Sequence, residues 1–176
     1  MGGWLPNGPP GVEYCDIMGA QHEIPLMVSA YQKGIRNYDV DKAYEAVKKT
    51  LTTQGTALSS GGIVGNRHLD VYLKYGFVPY GEKSHHNVFG TTYEGPTSNT
   101  LEYAFDDWNA AQFAKALGYE EDYDYFTRRA YNYKNVSIRK RNMSGRNIVM
   151  ERGCRILNLL IKMSILPVGR GWALDL

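Results

Sequence analysis

The chain has 176 residues, of which 43% are hydrophobic and 22% charged, enough for one globular domain with a buried core. Its formal net charge of +2 is too small to indicate binding to nucleic acid or to a membrane surface. The longest apolar stretch, Arg155 to Val168, is interrupted by Asn158 and Lys162 and is shorter than the ~20 residues that span a membrane. We therefore predict no transmembrane segment.

Charge and tyrosine content change abruptly along the chain. Residues 1–135 carry 12 Lys+Arg against 16 Asp+Glu, a net charge of −4, and contain all 14 tyrosines. Residues 136–176 carry 8 basic against 2 acidic residues, a net charge of +6. We predict that residues 1–135 belong to a folded domain and that residues 136–176 are a basic tail without a domain. A basic amphipathic helix that binds an acidic surface or partner is the alternative for the tail.

Two helices with a short link are predicted in the first half. The segment HEIPLMVSAYQK, residues 22–33, has apolar residues at helical spacing, and Gly34 is predicted to end it. Asp39 is predicted to cap a second helix, DVDKAYEAVKKTL. The buried face of this second helix is predicted to contain Ala43, Val47 and Leu51. The short link predicts that the two helices form a hairpin.

Two further helices are predicted after a loop at residues 54–65, a short helix at HLDVYLKYG and a long loop. NTLEYAFDDWNAAQFAKALG predicts a long helix from Asn99 to Gly118, and EEDYDYFTRRAYNYKN predicts one over residues 120–135. The inward stripe of the long helix is predicted to contain Leu101, Ala104, Phe105, Trp108 and Ala111. The inward face of the other is predicted to contain Tyr125, Phe126, Ala130 and Tyr133. The pattern favours an all-α fold of antiparallel helix pairs around a centre.

Several polar residues have two possible roles. Glu102 and Asp106 are four residues apart on one helical face and are typical of a solvated helix surface. The functional alternative is a sugar-binding cavity, in which carboxylates accept hydrogen bonds from hydroxyls and Trp108 covers an apolar sugar face. His22 can bind a ligand hydroxyl or cap a helix, while adjacent His85 and His86 lack partners at metal-ligand spacing.

Sequence blocks in a shared order resemble glycoside hydrolase family 92. The first three are GWLP at Gly3, DIM at Asp16 and HEIPLMVSAYQKGI at His22. The others are KAYEAVKKT, HLDVYLKYGFVP, TLEYAFDDWNAAQFAKALG and EDYDYFTRRAYNYKNV, the last of which ends at Val136. Each block alone is a helix of common residues, so their shared order carries the resemblance.

The resemblance implies an inverting, exo-acting α-mannosidase that hydrolyses terminal mannose, for example α-1,2-linked, from a mannose-containing oligosaccharide such as an N-glycan. It implies a catalytic domain built as an (α/α)6 toroid of helical hairpins, preceded by a β-sandwich domain. The chain is then a partial toroid, incomplete at both ends. Inversion needs a carboxylic acid and a carboxylate ~6.5–9.5 Å apart, and the family uses Ca²⁺ to bind mannose hydroxyls. A secreted, periplasmic or cell-surface location is implied.

The resemblance assigns no catalytic residue and no metal ligand to this chain, because the family's acid, base and principal calcium motifs follow the last matching block. The isolated chain is therefore expected to be inactive. One departure affects the loop before His22, where Gly19 stands one position earlier than the family commonly places its glycine. The implied substrate-binding residues are Trp4, Asp16, Gln21, His22, Glu102, Asp106 and Asp107.

Other interpretations stay open. Reading the codons after Val136 one base out of phase permits the string FDPEKKYVRPKYSNGTWM, which resembles the family again, so we hypothesise a frameshift there that the nucleotide sequence tests. The second hypothesis for the whole chain is a noncatalytic helical carbohydrate-binding or protein-interaction module, and a gene without further family blocks in any frame would favour it. A different helical-toroid glycosidase is the third. A partial toroid is expected to be marginally stable, with a broad thermal transition.

Overall fold

The computed structural model describes residues 3–5, 21–57, 63–66, 68–79 and 96–136 of the chain. The α-helices in these ranges are α1 Glu23–Gln32, α2 Val40–Thr52, α3 Leu69–Tyr75, α4 Pro96–Leu117 and α5 Glu120–Ala130, followed by a 3₁₀ helix at Tyr131–Asn135. Two-residue strands, β1 Thr56–Ala57 and β2 Ile63–Val64, pair antiparallel within the predicted loop. The described ranges contain no helix long and apolar enough to cross a membrane.

Some predictions fall outside the described residues. They concern the predicted binding residue Asp16, the histidine pair His85 and His86, the apolar stretch from Arg155 to Val168, and the basic tail after Val136. The division of the chain at residues 135 and 136 therefore stays a prediction.

Glycines end two of the helices as the sequence predicts. Gly34 and Gly118 have φ angles of 87° and 83°, in the left-handed region that glycine adopts without a steric penalty. After α4, the N–H of Gly118 donates to Lys115 and that of Tyr119 donates to Ala114. This pair of bonds is a Schellman motif, which satisfies carbonyls that the last helical turn leaves free. The predicted helix ends at Gly34 and Gly118 are confirmed.

The start of α2 is also set by local chemistry. The Asp39 side chain accepts a hydrogen bond from the Lys42 N–H at 3.1 Å, which confirms the predicted N-cap. On the buried face, Val47 and Leu51 are buried as predicted. Ala43 is only half-buried, because the helix turns Tyr44 inward instead. The Tyr44 ring packs edge-on against Phe113 of α4, with centroids 5.6 Å apart.

Helix α4 is the centre of the described structure, since α1, α2 and α5 all pack against it. The α4–α5 pair forms a hairpin joined at Gly118. The main core consists of Leu5, Ile24, Val28, Tyr44, Val47, Leu51, Ala110, Ala111, Phe113, Ala114 and Phe126. A second cluster, on α3, the segment that follows it and α4, consists of Leu69, Val71, Tyr72, Val78 and Tyr103. Together these helices confirm the predicted all-α class and partial toroid, although α1 and α2 pack mainly against α4 rather than against each other as the predicted hairpin requires.

Two details of α4 differ from the sequence prediction. The helix begins at Pro96 rather than Asn99, because proline suits the first helical turn, where its missing N–H costs nothing. The predicted inward stripe is only partly right. Ala104 and Ala111 are buried, but the other three members of the stripe are half-buried. Neighbouring elements instead bury the polar positions, including Asp106 and Asp107.

The last predicted helix changes character at its end. It is α-helical only to Ala130 and then tightens into the 3₁₀ helix. Phe126 and Ala130 are buried as predicted, whereas Tyr125 and Tyr133 are half-buried. The Asn135 side-chain amide donates to the Gly76 carbonyl at 2.8 Å and so ties this end to the turn after α3.

Candidate functional site

Two adjacent carboxylates on α4 point into different surroundings. Asp106 and Asp107 are both fully buried. Successive residues of an α-helix project about 100° apart, so the two side chains meet different neighbours. Asp106 reaches the start of α1, and Asp107 reaches α3 and α5. The prediction that Asp106 belongs to a solvated helix surface is therefore wrong.

Asp107 lies in a polar network inside the protein. Its Oδ2 accepts a hydrogen bond from the Tyr72 hydroxyl at 2.8 Å. Its Oδ1 lies 2.8 Å from Nη2 of Arg129, an ion-pair contact rather than a well-directed hydrogen bond. Each oxygen of Asp107 therefore has a neighbour within the chain. This geometry favours a structural role for Asp107 over direct contact with a substrate.

Arg129 joins this network to two further elements. Its Nη1 donates to the Leu51 carbonyl at the end of α2, at 2.8 Å, and to the Tyr125 hydroxyl at 3.2 Å. The guanidinium carbon also lies 5.6, 5.2 and 5.5 Å from the ring centres of Tyr72, Tyr125 and Phe126, within the range of cation–π attraction. A single arginine thus connects α2, α3, α4 and α5.

The protonation of this network follows from its burial. Burial raises the pKa of Asp107 to about 6, although the Arg129 guanidinium and the Tyr72 hydroxyl both favour the ionised form. Burial and the neighbouring Asp107 charge raise the pKa of the Tyr72 hydroxyl, which therefore stays a donor. Above about pH 6, the network accordingly contains an ionised aspartate, a protonated tyrosine and a charged arginine.

Asp106 fixes the chain just before α1. Its Oδ2 accepts a hydrogen bond from the Gln21 N–H at 3.0 Å, a contact between residues 85 positions apart. Its other oxygen, Oδ1, is buried and has no hydrogen-bond partner among the described residues. Oε2 of Glu23, in the first turn of α1, is also buried and has no hydrogen-bond partner among the described residues. Two buried carboxylate oxygens thus lie near the start of α1 without donors from the described chain.

The surroundings of the Asp106 carboxyl favour its neutral form. Burial raises the pKa of Asp106 well above its ordinary value, and the charges of Glu102, Asp107 and Glu23 raise it further. The Gln21 N–H acts in the opposite direction but does not outweigh these effects. A neutral carboxyl can accept through one oxygen and donate through the other. In its neutral form, Asp106 offers an O–H donor that an ionised aspartate lacks.

The raised pKa of Asp106 predicts how stability depends on pH. The folded state keeps a proton that the unfolded state releases near pH 4, so this contribution to stability is lost as pH rises towards the folded pKa. Asp106→Asn removes the titration and keeps an acceptor for Gln21. Its free energy of unfolding, relative to wild type, should rise by about 1.4 kcal/mol per pH unit across that window.

Urea unfolding followed by circular dichroism between pH 4 and pH 8 measures this slope. The matched control is Asp124→Asn, the same substitution on the exposed surface of α5. Parallel pH profiles for Asp106→Asn and wild type would show that Asp106 titrates normally in the folded protein.

The other predicted binding residues are placed as follows. Trp4 is half-buried, with Nζ of Lys49 4.8 Å from its ring centre. Its ring also covers Gly65, where a Cβ atom would lie 2.6 Å from Cζ3 of Trp4. His22 is exposed at the N-cap position of α1 and makes no side-chain capping bond. Glu102 is half-buried on the face of α4 that carries Asp106.

The structure therefore brings together part of the predicted set. Gln21 is buried and bonded to Asp106, while Glu102 and Asp107 both influence the Asp106 charge. Glu23 and Arg129 are near these residues but were not predicted. A signal for Glu23 existed, since an acid in the first turn of a helix is favourable, but its burial depends on α4. Arg129 resembles any helical arginine in the sequence.

A metal centre finds no support in this part of the chain. Among the described residues, no group of three or more His, Cys, Asp or Glu side chains could hold a metal ion. The described residues thus do not fit the calcium site that the family resemblance implies.

Sequence comparison identifies one family. The profile of the glycosyl hydrolase family 92 catalytic domain matches residues 1–148. The match extends past Val136, into the segment predicted to lie outside the domain. A search of the curated proteins found no match.

Solved structures of three mannosidase chains from Bacteroides thetaiotaomicron are similar to this chain. The family GH92 inverting mannosidase BT2199 of strain VPI-5482 matches with a TM-score of 0.62 and 31% identity, over 77% of this chain and 17% of that one. The family GH92 α-mannosidase BT3965 matches in its complex with mannoimidazole, with a TM-score of 0.54 and 29% identity, over 74% and 15% of the two chains. A second BT3965 structure gives a TM-score of 0.52 and 31% identity, over 74% and 16%. The chain thus spans about one sixth of the length of these enzymes.

Proposed function

Because the chain belongs to glycosyl hydrolase family 92, we propose that it forms part of the substrate-binding wall of an α-mannosidase that removes terminal mannose from mannose-containing glycans. The match of residues 1–148 to the catalytic domain carries this proposal. It also confirms the resemblance that the sequence blocks indicate. Similarity to mannosidase structures supports the choice of sugar.

The proposal includes the stereochemistry and the cofactor of the whole enzyme. BT2199 is described as an inverting mannosidase, which supports inversion in the enzyme to which this chain belongs. We propose terminal α-linked mannose, for example α-1,2-linked, as the substrate and Ca²⁺ as the cofactor, with calcium ligands outside the described residues. Among the described residues, no group of three or more His, Cys, Asp or Glu side chains could supply these ligands.

Within this wall, the exposed and half-buried polar side chains are the proposed contacts. His22 is exposed at the start of α1, and Glu102 is half-buried on the adjacent face of α4. An imidazole and a carboxylate can both hydrogen-bond to sugar hydroxyls. The Trp4 ring is half-buried. Its apolar face is proposed to pack against an apolar face of the sugar.

Binding and hydrolysis test different parts of the proposal. In NMR spectra of the 176-residue chain with calcium present, α-1,2-mannobiose is expected to shift signals of Trp4, His22 and Glu102, whereas cellobiose is not. His22→Ala should weaken this response, and Lys33→Ala at the exposed other end of α1 should not. Equal responses to both sugars would contradict the proposal that this substrate-binding wall recognises mannose.

The isolated chain is expected to release no mannose, because none of its residues matches the family's acid and base motifs. The measurement is mannose release from α-1,2-mannobiose by the purified chain in calcium, with a complete family 92 enzyme as the positive control. Release of mannose that depends on this chain would contradict the proposed inactivity and would place catalytic groups within these 176 residues.

A further inference from the structure

The start of α1 has no side-chain cap. His22 occupies the N-cap position but makes no capping hydrogen bond, although Ser, Thr, Asp and Asn are the residues that usually cap. The first backbone contact is instead the bond from the Ile24 N–H to the Gln21 carbonyl, at 2.9 Å. The placement of His22 therefore depends on what holds the Gln21 peptide.

Asp106 provides that support from another helix. The Gln21 N–H donates to its Oδ2 at 3.0 Å, so the Gln21 residue is held by Asp106 at its N–H and by Ile24 at its carbonyl. Both Gln21 and Asp106 are buried, so water does not compete for this bond. Because α4 is the central helix, Asp106 is itself on a firmly packed element.

We propose that Asp106 is a positioning residue, which fixes the Gln21 backbone and thereby holds His22 at the surface of the substrate-binding wall. The inference rests on the proposed function for its sugar-binding part only. It replaces direct sugar contact by Asp106 with an indirect role. His22 follows Gln21 immediately, so a shift of the Gln21 peptide moves the imidazole.

The two roles of Asp106 predict different results for two substitutions. An asparagine keeps an oxygen acceptor for the Gln21 N–H but has no carboxyl group. A leucine has a similar shape and no acceptor. A positioning role predicts that Asp106→Asn resembles wild type and Asp106→Leu does not. A carboxyl that contacts sugar directly predicts that both substitutions weaken the sugar response.

The first measurement needs no sugar. Amide hydrogen exchange of Gln21 is expected to become about tenfold faster in Asp106→Leu, since a buried backbone donor loses its acceptor, and to stay within about twofold of wild type in Asp106→Asn. Exchange at Val47 and Phe113 in the core should change less than exchange at Gln21. Asp124→Asn and Asp124→Leu on the exposed surface of α5 are the matched controls.

A measurement on the wild-type chain covers the case in which the leucine variant does not fold. A long-range HNCO spectrum of the full chain should show scalar coupling across the hydrogen bond, between the Gln21 amide nitrogen and the Asp106 carboxyl carbon. Absence of this coupling, or unchanged Gln21 exchange in a folded Asp106→Leu variant, would overturn the proposal.

Titration with α-1,2-mannobiose then separates positioning from simple structural support. The His22 response should persist in Asp106→Asn and be lost in Asp106→Leu, while circular dichroism shows that both variants keep their helices. Loss of the response in both variants would overturn the positioning role. If wild type itself shows no sugar response, the proposed function fails, and the Gln21 coupling and exchange still decide whether Asp106 holds this backbone.

Discussion

Asp107→Ala is expected to lower the free energy of unfolding by about 3–5 kcal/mol, because it leaves the buried Arg129 guanidinium without its anion. The Tyr72 hydroxyl loses its shorter hydrogen bond in the same substitution and keeps the Arg129 carbonyl, at 3.3 Å, as an acceptor. Urea unfolding of the 176-residue chain, followed by circular dichroism, measures the loss as a lower midpoint or as missing helical signal without urea. Asp124→Ala, at an exposed position of α5, is the matched control and should change the midpoint little.

A second variant tests whether the instability of Asp107→Ala comes from the unpaired charge of Arg129 or from the loss of the ion-pair attraction itself. Buried ion pairs are often replaceable by apolar residues of similar volume at little cost, whereas removal of one partner is strongly destabilising. Asp107→Leu combined with Arg129→Met should therefore be more stable than Asp107→Ala. Recovery should be incomplete, because the Leu51 carbonyl loses its donor. Asp107→Leu and Arg129→Met are also measured separately. If the loss of stability in the double variant equals the sum of these two single losses, Asp107 and Arg129 do not act as a pair.

Local chemistry explains which parts of the fold were predictable. Asp39 caps α2 and Gly118 ends α4 through bonds between residues at most five positions apart, so the signal lies within a short window of sequence. The all-α class follows from the same short-range patterns. The early end of α5 was not predictable in this way, because the Asn135 bond to Gly76 joins residues 59 positions apart.

The burial of α4 shows the limit of a single apolar stripe. That pattern assumes one inward face, whereas α1, α2 and α5 contact this helix from different directions. Asp106 and Asp107 can then be fully buried because Gln21 and Arg129 provide partners. Neither partner follows from the spacing of residues along α4. The family resemblance placed Gln21 and Asp106 in one candidate set, but the contact between them required the fold.

Phe113→Ala is expected to lower the free energy of unfolding by about 3–5 kcal/mol, since it empties a fully buried site. The Phe113 ring lies 5.2 Å from that of Tyr31 on α1 and 5.6 Å from that of Tyr44 on α2, measured between ring centres. Its removal therefore weakens the contacts of both helices with α4. Phe105→Ala is the matched control on the same helix, because Phe105 is only half-buried and should cost clearly less. The sequence stripe included Phe105 and omitted Phe113, so urea midpoints in the reverse order would support the stripe and contradict the orientation of α4 in the structure.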